Sequence, residues 1–288
     1  MLKFRPYQEI AYNDCLNYLN DKTNYKKSIV IAGTGWGKAL LIGALAKAIE
    51  SPVLVLQPSK ELLEQNFSKL IGFGGEGTIF SAGLGIKEIS KTTFATPKSI
   101  IGHIDKFIEL GVNTLLIDEA HLQCKPGSVI DNIIKKLGNK IKVIGFTATP
   151  IILVNNREGS QLKMLNKTKS SIFNNIIHVT QIQELIKNKY WSKLIYEQCK
   201  QDQSYLKLNS QGTEFTEYSV NAFFSKNNII SQMKEANNKL ANERNSILIF
   251  VPSIADGESL KKLIDRKDCD LIHSYLDNKE RELIINKF

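Results

Sequence analysis

Two groups of residues about eighty positions apart have the types and spacing of a phosphoryl-transfer site. The first lies in SIVIAGTGWGKALL, residues 28–41, where an apolar run breaks into a glycine-rich turn that opens a helical pattern. Gly33, Gly35 and Gly37 remove side chains where a backbone has to wrap a polyphosphate and offer its N–H groups, and Lys38 follows as a point charge. A helix from Ala39 onward would turn its positive end to the same anion. The stretch departs twice from the pattern G-x-x-x-x-G-K-[ST]: Ala32 takes the first glycine position, and Ala39 stands where a hydroxyl normally ligates Mg²⁺.

The second group ends the run Leu115-Leu116-Ile117-Asp118-Glu119-Ala120-His121. An apolar strand that stops abruptly in two carboxylates puts both at the edge of a sheet. There one can hold Mg²⁺ through water and the other can polarise an attacking water. A third strand ends in Gly145-Phe146-Thr147-Ala148-Thr149-Pro150, which brings two hydroxyls to the same edge.

The elements that must position these groups follow from apolar patterning. FRPYQEIAYNDCLNYLND reads as a helix with Pro6 near its start and an apolar stripe of Ile10, Cys15, Leu16 and Leu19. Residues 39–50 read as an apolar helix, and PVLVLQPSKELLEQN as a strand and a helix. Short strands are expected near Thr78, Thr92, Thr114 and Lys142, with helices at about 98–109 and 128–137. Strands alternating with helices indicate an α/β fold with a parallel sheet covered on both faces, in which ligands sit at the carboxyl ends of the strands.

Composition bounds the class. The 288 residues suffice for two domains, and 42% hydrophobic with 23% charged residues is a globular balance. The formal charge of +9 is shared, with 18 basic and 13 acidic residues in 1–150 and 20 and 16 in the remainder. A shared basic excess suits a nucleic-acid surface that crosses both halves. Cys15, Cys124, Cys199 and Cys269 are far apart and the four histidines scattered, which argues for reduced thiols and against a zinc site. No run reaches the roughly 18 apolar residues of a membrane span, and MLKFRPYQEIAY has no signal-peptide core. A soluble, cytoplasmic protein is therefore expected.

RPYQ, AGTGWGK, PSKELLEQ, ATPKS, DEAH and TATP, in this order, resemble the first motor domain of a superfamily 2 helicase of the DEAD/DEAH type. The bacterial and phage DNA helicases and translocases that remodel forks or serve restriction systems are the nearest in appearance. The resemblance implies a RecA-like domain over 1–150, an ATP and Mg²⁺ cofactor pair, and nucleic acid, with DNA ahead of RNA, as partner. It implies that Gln8 reads adenine with Arg5 close by, and that Gly33, Thr34, Gly35, Trp36, Gly37, Lys38 and Ala39 form the nucleotide loop, with Lys38 on the β- and γ-phosphates. Asp118 would be the metal ligand, Glu119 the base for water, and His121 the link between nucleotide and second domain. Thr147 and Thr149 would couple hydrolysis to movement. Pro58, Ser59, Lys60 and Gln65, with Thr96 and Pro97, would grip phosphates of a strand.

Beyond Pro150 the signal weakens. Residues 151–175 read as a polar bridge, and 176–288 as the first part of a second RecA-like domain, with strands at SILIFVPS and LIHSYL and helices over 217–243, ADGESLKKLIDR and NKERELIINKF. Tyr190 and Trp191 read as packing at the domain junction, with base stacking as the alternative. The later motifs that supply arginines to the γ-phosphate in the resembled family do not follow, so the chain reads as incomplete. Together with Ala39 this leaves three functional readings: an ATP-dependent helicase or translocase of weakened turnover, a non-catalytic ATP-dependent nucleic-acid clamp or sensor, and the motor part of a restriction or defence complex.

Overall fold

A computed structural model describes residues 3–156, 159–167, 171–197, 200–210 and 214–288. By its contacts the chain divides into two compact units. The first runs to Val154 and includes Gln161–Ile195, and the second joins Asn155–Ser160 to Tyr196–Phe288.

The first unit is the α/β fold expected. Its strands are β1 (Ser28–Ile31), β2 (Val53–Leu56), β3 (Thr78–Ser81), β4 (Ile86–Lys87), β5 (Thr92–Ala95), β6 (Thr114–Ile117), β7 (Lys142–Thr147) and β10 (Asn175–Val179). They form one sheet in the order β10-β1-β7-β6-β2-β5-β3-β4, parallel except for β4. Ile31 pairs with Thr147, and Ile117 with both Leu56 and Gly145, so the strands carrying the polar motifs end along one edge. That register gathers the loops after β1, β2, β5, β6 and β7.

Both faces of the sheet are buried, and successive residues along each strand go to opposite sides. Val30, Val55, Leu116 and Ile144 pack under α1 (Pro6–Asn20), α2 (Lys38–Ala48) and α3 (Lys60–Gly72). Ile29, Leu54, Leu115 and Val143 pack on the other side, under α4 (Pro97–Ile100), α5 (Ile104–Glu109) and α7 (Val129–Leu137), with the short α6 (Ala120–Gln123) between β6 and α7. Each such side chain contributes about 1.5–3 kcal/mol by leaving water. A Cβ on Gly43 would lie 2.9 Å from the Leu70 nitrogen, so α2 and α3 approach as closely as they do because position 43 has no side chain.

Helix α1 forms over the expected residues, and of the expected stripe Cys15 is buried while Leu16 and Leu19 pack partly buried against the core. Tyr7, Ala11, Cys15 and Tyr18 are buried at helical spacing while Ile10 is 55% exposed. Tyr7 and Tyr18 widen the buried face beyond that stripe, and Gln8 goes in with them.

Two expectations for the later chain are corrected. Residues 175–179, read as the end of a bridge and the opening of a second domain, form β10 beside β1, because this short apolar run completes a parallel edge that β1 would otherwise leave open. The bridge contains β8 (Ile151–Asn156) and β9 (Gly159–Met164), which pair as a two-stranded sheet; its residues 157–158 and 168–170 lie outside those described. SILIFVPS and LIHSYL do not form strands. Leu248 and Phe250 are 66% and 81% exposed, and a parallel strand needs ladder partners and cover on both faces.

After α8 (Ile182–Lys187) in the first unit come the helices of the second: α9 (Glu217–Lys226), α10 (Ile229–Leu240), α11 (Ile254–Ile264) and α12 (Asn278–Lys287). Side-chain caps start three of them: Thr216 accepts from Ser219 N–H, Ser253 from Asp256 N–H and Asp277 from Glu280 N–H. Among the described residues no helix is long and apolar enough to cross a membrane.

Candidate functional site

The loop between β1 and α2 takes its shape from its glycines. Gly35 and Gly37 have φ of 74° and 96°, the left-handed region, and a Cβ on Gly37 would collide with the Gln8 amide. No side chain caps α2, and Leu40 N–H and Leu41 N–H donate to the Gly37 carbonyl at 3.0 and 3.3 Å.

Gln8 and Tyr7 secure the loop from α1. Gln8 donates from Nε2 to the Trp36 carbonyl at 2.8 Å and accepts from Arg5 N–H at 2.9 Å, and Tyr7 donates to the same carbonyl at 3.2 Å. Gln8 is 3% exposed, so both ends of its amide are spent inside the fold. The Arg5 guanidinium lies over the Tyr190 ring, 5.1 Å from its centroid. Trp36 is fully buried, and Thr34 is exposed on the loop.

The carboxylate pair meets the loop lysine. Lys38 Nζ lies 3.4 Å from Glu119 Oε1. Asp118 stands behind it, 7% exposed, with Oδ1 accepting from Glu119 N–H at 2.9 Å and Oδ2 from Asn66 Nδ2 at 2.8 Å. Burial pushes the Asp118 carboxyl above its ordinary value, and the Asn66 donor opposes that rise. Glu119 has φ 44° and ψ 50°, a left-handed conformation that costs a non-glycine residue about 1 kcal/mol or more. The backbone thereby reverses so that Asp118 points into the fold and Glu119 to Lys38.

His121 ties this pair to β7. Its Nδ1 is 3.4 Å from Glu119 Oε2 and 2.9 Å from Thr147 Oγ1. Thr147 is fully buried, accepts Thr149 N–H on its hydroxyl at 3.1 Å, and accepts Ala32 N–H on its carbonyl at 2.9 Å. Lys38, Glu119, His121 and Thr147 therefore form one chain of contacts from the loop to the end of β7.

A separate cleft of about 540 Å³ opens at the same edge. Pro58, Ser59, Lys60, Thr96 and Pro97 line it. Ser59 caps α3 through Leu62 N–H, and Thr96 Oγ1 meets Ser99 Oγ at 2.7 Å. Gln65 is exposed and does not line the cleft. Lys98 and Lys125 do, and no motif pointed to them.

Asn66 was missed as well. Its signal was a polar residue at helical spacing between Leu63 and Leu70, on the buried face of α3. Tyr190 and Trp191 pack inside the first unit against the loop and α1. Tyr190 meets Tyr7 edge-on at 5.0 Å, and the Trp191 ring lies 3.4 Å from where a Cβ on Gly33 would stand.

Oxygen donors and backbone N–H groups suit a magnesium nucleotide. Lys38, the uncapped start of α2 and the oriented Asp118 fit such a group, with one protein oxygen fewer because residue 39 is alanine.

Residues 1–152 match the family described as "Type III restriction enzyme, res subunit". Two solved structures are similar to the chain. One is a nuclease-deletion mutant of the Type ISP restriction-modification enzyme LlaGI in complex with a DNA substrate mimic, at 20% identity over 67% of this chain and 21% of that one, with a TM-score of 0.47. The other is the UvsW helicase from Bacteriophage T4, at 17% identity over 62% and 60% of the two chains, with a TM-score of 0.44. The chain thus covers 21% and 60% of the lengths of these two proteins. No curated protein matches it.

Proposed function

The chain belongs to the family described as "Type III restriction enzyme, res subunit", and from that premise we propose that it is an ATP-driven nucleic-acid motor of the superfamily 2 helicase type. The observation that carries this reading is the meeting of Lys38 with Glu119 at 3.4 Å, in front of a buried, oriented Asp118.

Lys38 and the N–H groups at the start of α2 hold the triphosphate, and Asp118 holds Mg²⁺. When bound, the metal neutralises charge that develops on the phosphates. Glu119 takes a proton from the attacking water, and it gives up its contact with Lys38 as the nucleotide competes for the lysine. His121 shares its Nδ1 face with Thr147, so a change of charge at Glu119 reaches the loop containing Thr149. Ser59, Lys60, Lys98, Lys125 and Thr96 grip the phosphates of a strand in the cleft. Such contacts bind without reading bases. DNA is the polymer assigned, and the cytoplasm the compartment.

Ala39 favours a second reading, a clamp that closes on nucleotide without turning it over. Hydrolysis of Mg-ATP by the chain and by Lys38→Ala, with and without single-stranded DNA, separates the two. The motor requires turnover that DNA raises and the variant lacks, whereas the clamp requires DNA-sensitive nucleotide binding without turnover.

A further inference from the structure

We propose that residues after the family-matched stretch, Thr180, His178 and Trp191, are positioning residues of the nucleotide site, clasping the phosphate loop in the shape that takes a nucleoside triphosphate. The inference rests on the nucleotide-binding reading above and extends it to a segment that no motif assigns.

The loop is held from below by a hydrogen-bonded chain. The Trp36 indole is fully buried, so its N–H needs a partner, and it donates to Thr180 Oγ1 at 2.9 Å. Thr180 Oγ1 lies 2.8 Å from His178 Nε2, and His178 Nδ1 lies 2.8 Å from Asp14 Oδ2. With the histidine proton on Nδ1, each donor has one acceptor: Trp36 to Thr180, Thr180 to His178, His178 to Asp14. The chain runs from α1 through β10 to the loop, and Thr180 is 5% exposed, so no water competes for it freely.

From the outer side the loop is covered by Trp191. Its ring stands 3.4 and 3.5 Å from the positions of a Cβ on Gly33 and on Gly35. Tyr190 N–H and Trp191 N–H both donate to the Leu185 carbonyl, and Lys189 at φ 59° closes α8, so the indole is mounted on a helix end. A loop clasped on two sides has its N–H groups arranged before the anion arrives, which removes the ordering cost from binding.

The test compares Thr180→Val and Trp191→Ala with the conservative Thr180→Ser and Trp191→Phe. Calorimetry of Mg-ADP binding and amide hydrogen exchange at residues 33–38 in the nucleotide-free chain are measured for each. The Val and Ala variants are expected to bind Mg-ADP about five- to tenfold more weakly and to exchange the loop amides faster by about the same factor. Ser and Phe are expected to restore both to within about twofold, which a general loss of stability would not do. Loop exchange unchanged in Thr180→Val and Trp191→Ala would overturn the clasp whether or not nucleotide binds. Changed exchange with unchanged Mg-ADP affinity would overturn its role in binding. If the parent chain itself binds no nucleotide, the functional reading fails, and loop exchange still decides whether the clasp exists.

Discussion

Lys38 Nζ and Glu119 Oε1 lie 3.4 Å apart, and this contact joins the loop after β1 to the end of β6, two strands apart in the sheet. The two side chains are 11% and 24% exposed, so neither charge is fully screened by water. Replacing Glu119 with Gln keeps the shape and removes the carboxylate proposed as the base. Mg-ATP binding by Glu119→Gln should stay within about threefold of the parent while phosphate release falls about 10²–10⁴-fold. Calorimetry and a phosphate-release assay on the same preparation check both halves.

Asn66 holds one oxygen of Asp118, and a partner of this kind orients a metal-binding carboxylate. Asn66→Ala should weaken the apparent Mg²⁺ affinity in nucleotide binding by about 10–100-fold. A Mg²⁺ titration at fixed ATP reads this directly. An unchanged midpoint would mean that Asp118 needs no help from α3.

Ala39 sits at the second position of α2, where the sequence pattern of such loops has the hydroxyl for the proposed metal. Ala39→Thr should raise Mg²⁺-dependent turnover by about tenfold, roughly one contact of 1.4 kcal/mol. Steady-state hydrolysis beside the parent chain is the check, and equal rates would show that water already replaces the missing ligand.

Asp131 provides a prediction about pH. Burial alone would raise its carboxyl, yet a hydrogen bond from Lys135 and another from Gly127 N–H hold it below the ordinary value of 3.8. A depressed carboxylate adds stability that is present above 3.8 and is lost as pH falls through the lower folded value. Asp131→Asn should therefore destabilise the first unit by about 1 kcal/mol near neutrality, with the difference shrinking towards zero in acid. Thermal unfolding of both proteins across that range measures it.

The first unit was largely legible because each of its signals is local. An apolar run of four residues ending in Asp118-Glu119, or in Thr147, announces both a strand and the edge where it stops. Helices α3 and α7 carry their start signals in Ser59 and Ser128. What could not be read depends on distant partners. Asn66 looks like any polar helix residue until Asp118 is beside it, and Thr180 is one hydroxyl among many until Trp36 points at it. The apolar run 247–251 has the composition of a strand, but pairing is a property of neighbours, and Leu248 and Phe250 stay exposed. For the same reason Gln8, a polar residue on a first turn, could be assigned to adenine by resemblance, whereas the structure has its amide bridging Arg5 and Trp36.

The most direct test of the motor reading is Mg²⁺-dependent ATP hydrolysis by this chain, with and without single-stranded DNA, duplex DNA and RNA, beside Lys38→Ala. The expected result is hydrolysis that single-stranded or duplex DNA raises at least severalfold, that RNA raises less, and that the lysine variant lacks. Hydrolysis unmoved by any of the three polymers, or equal in the Lys38→Ala variant, would contradict it.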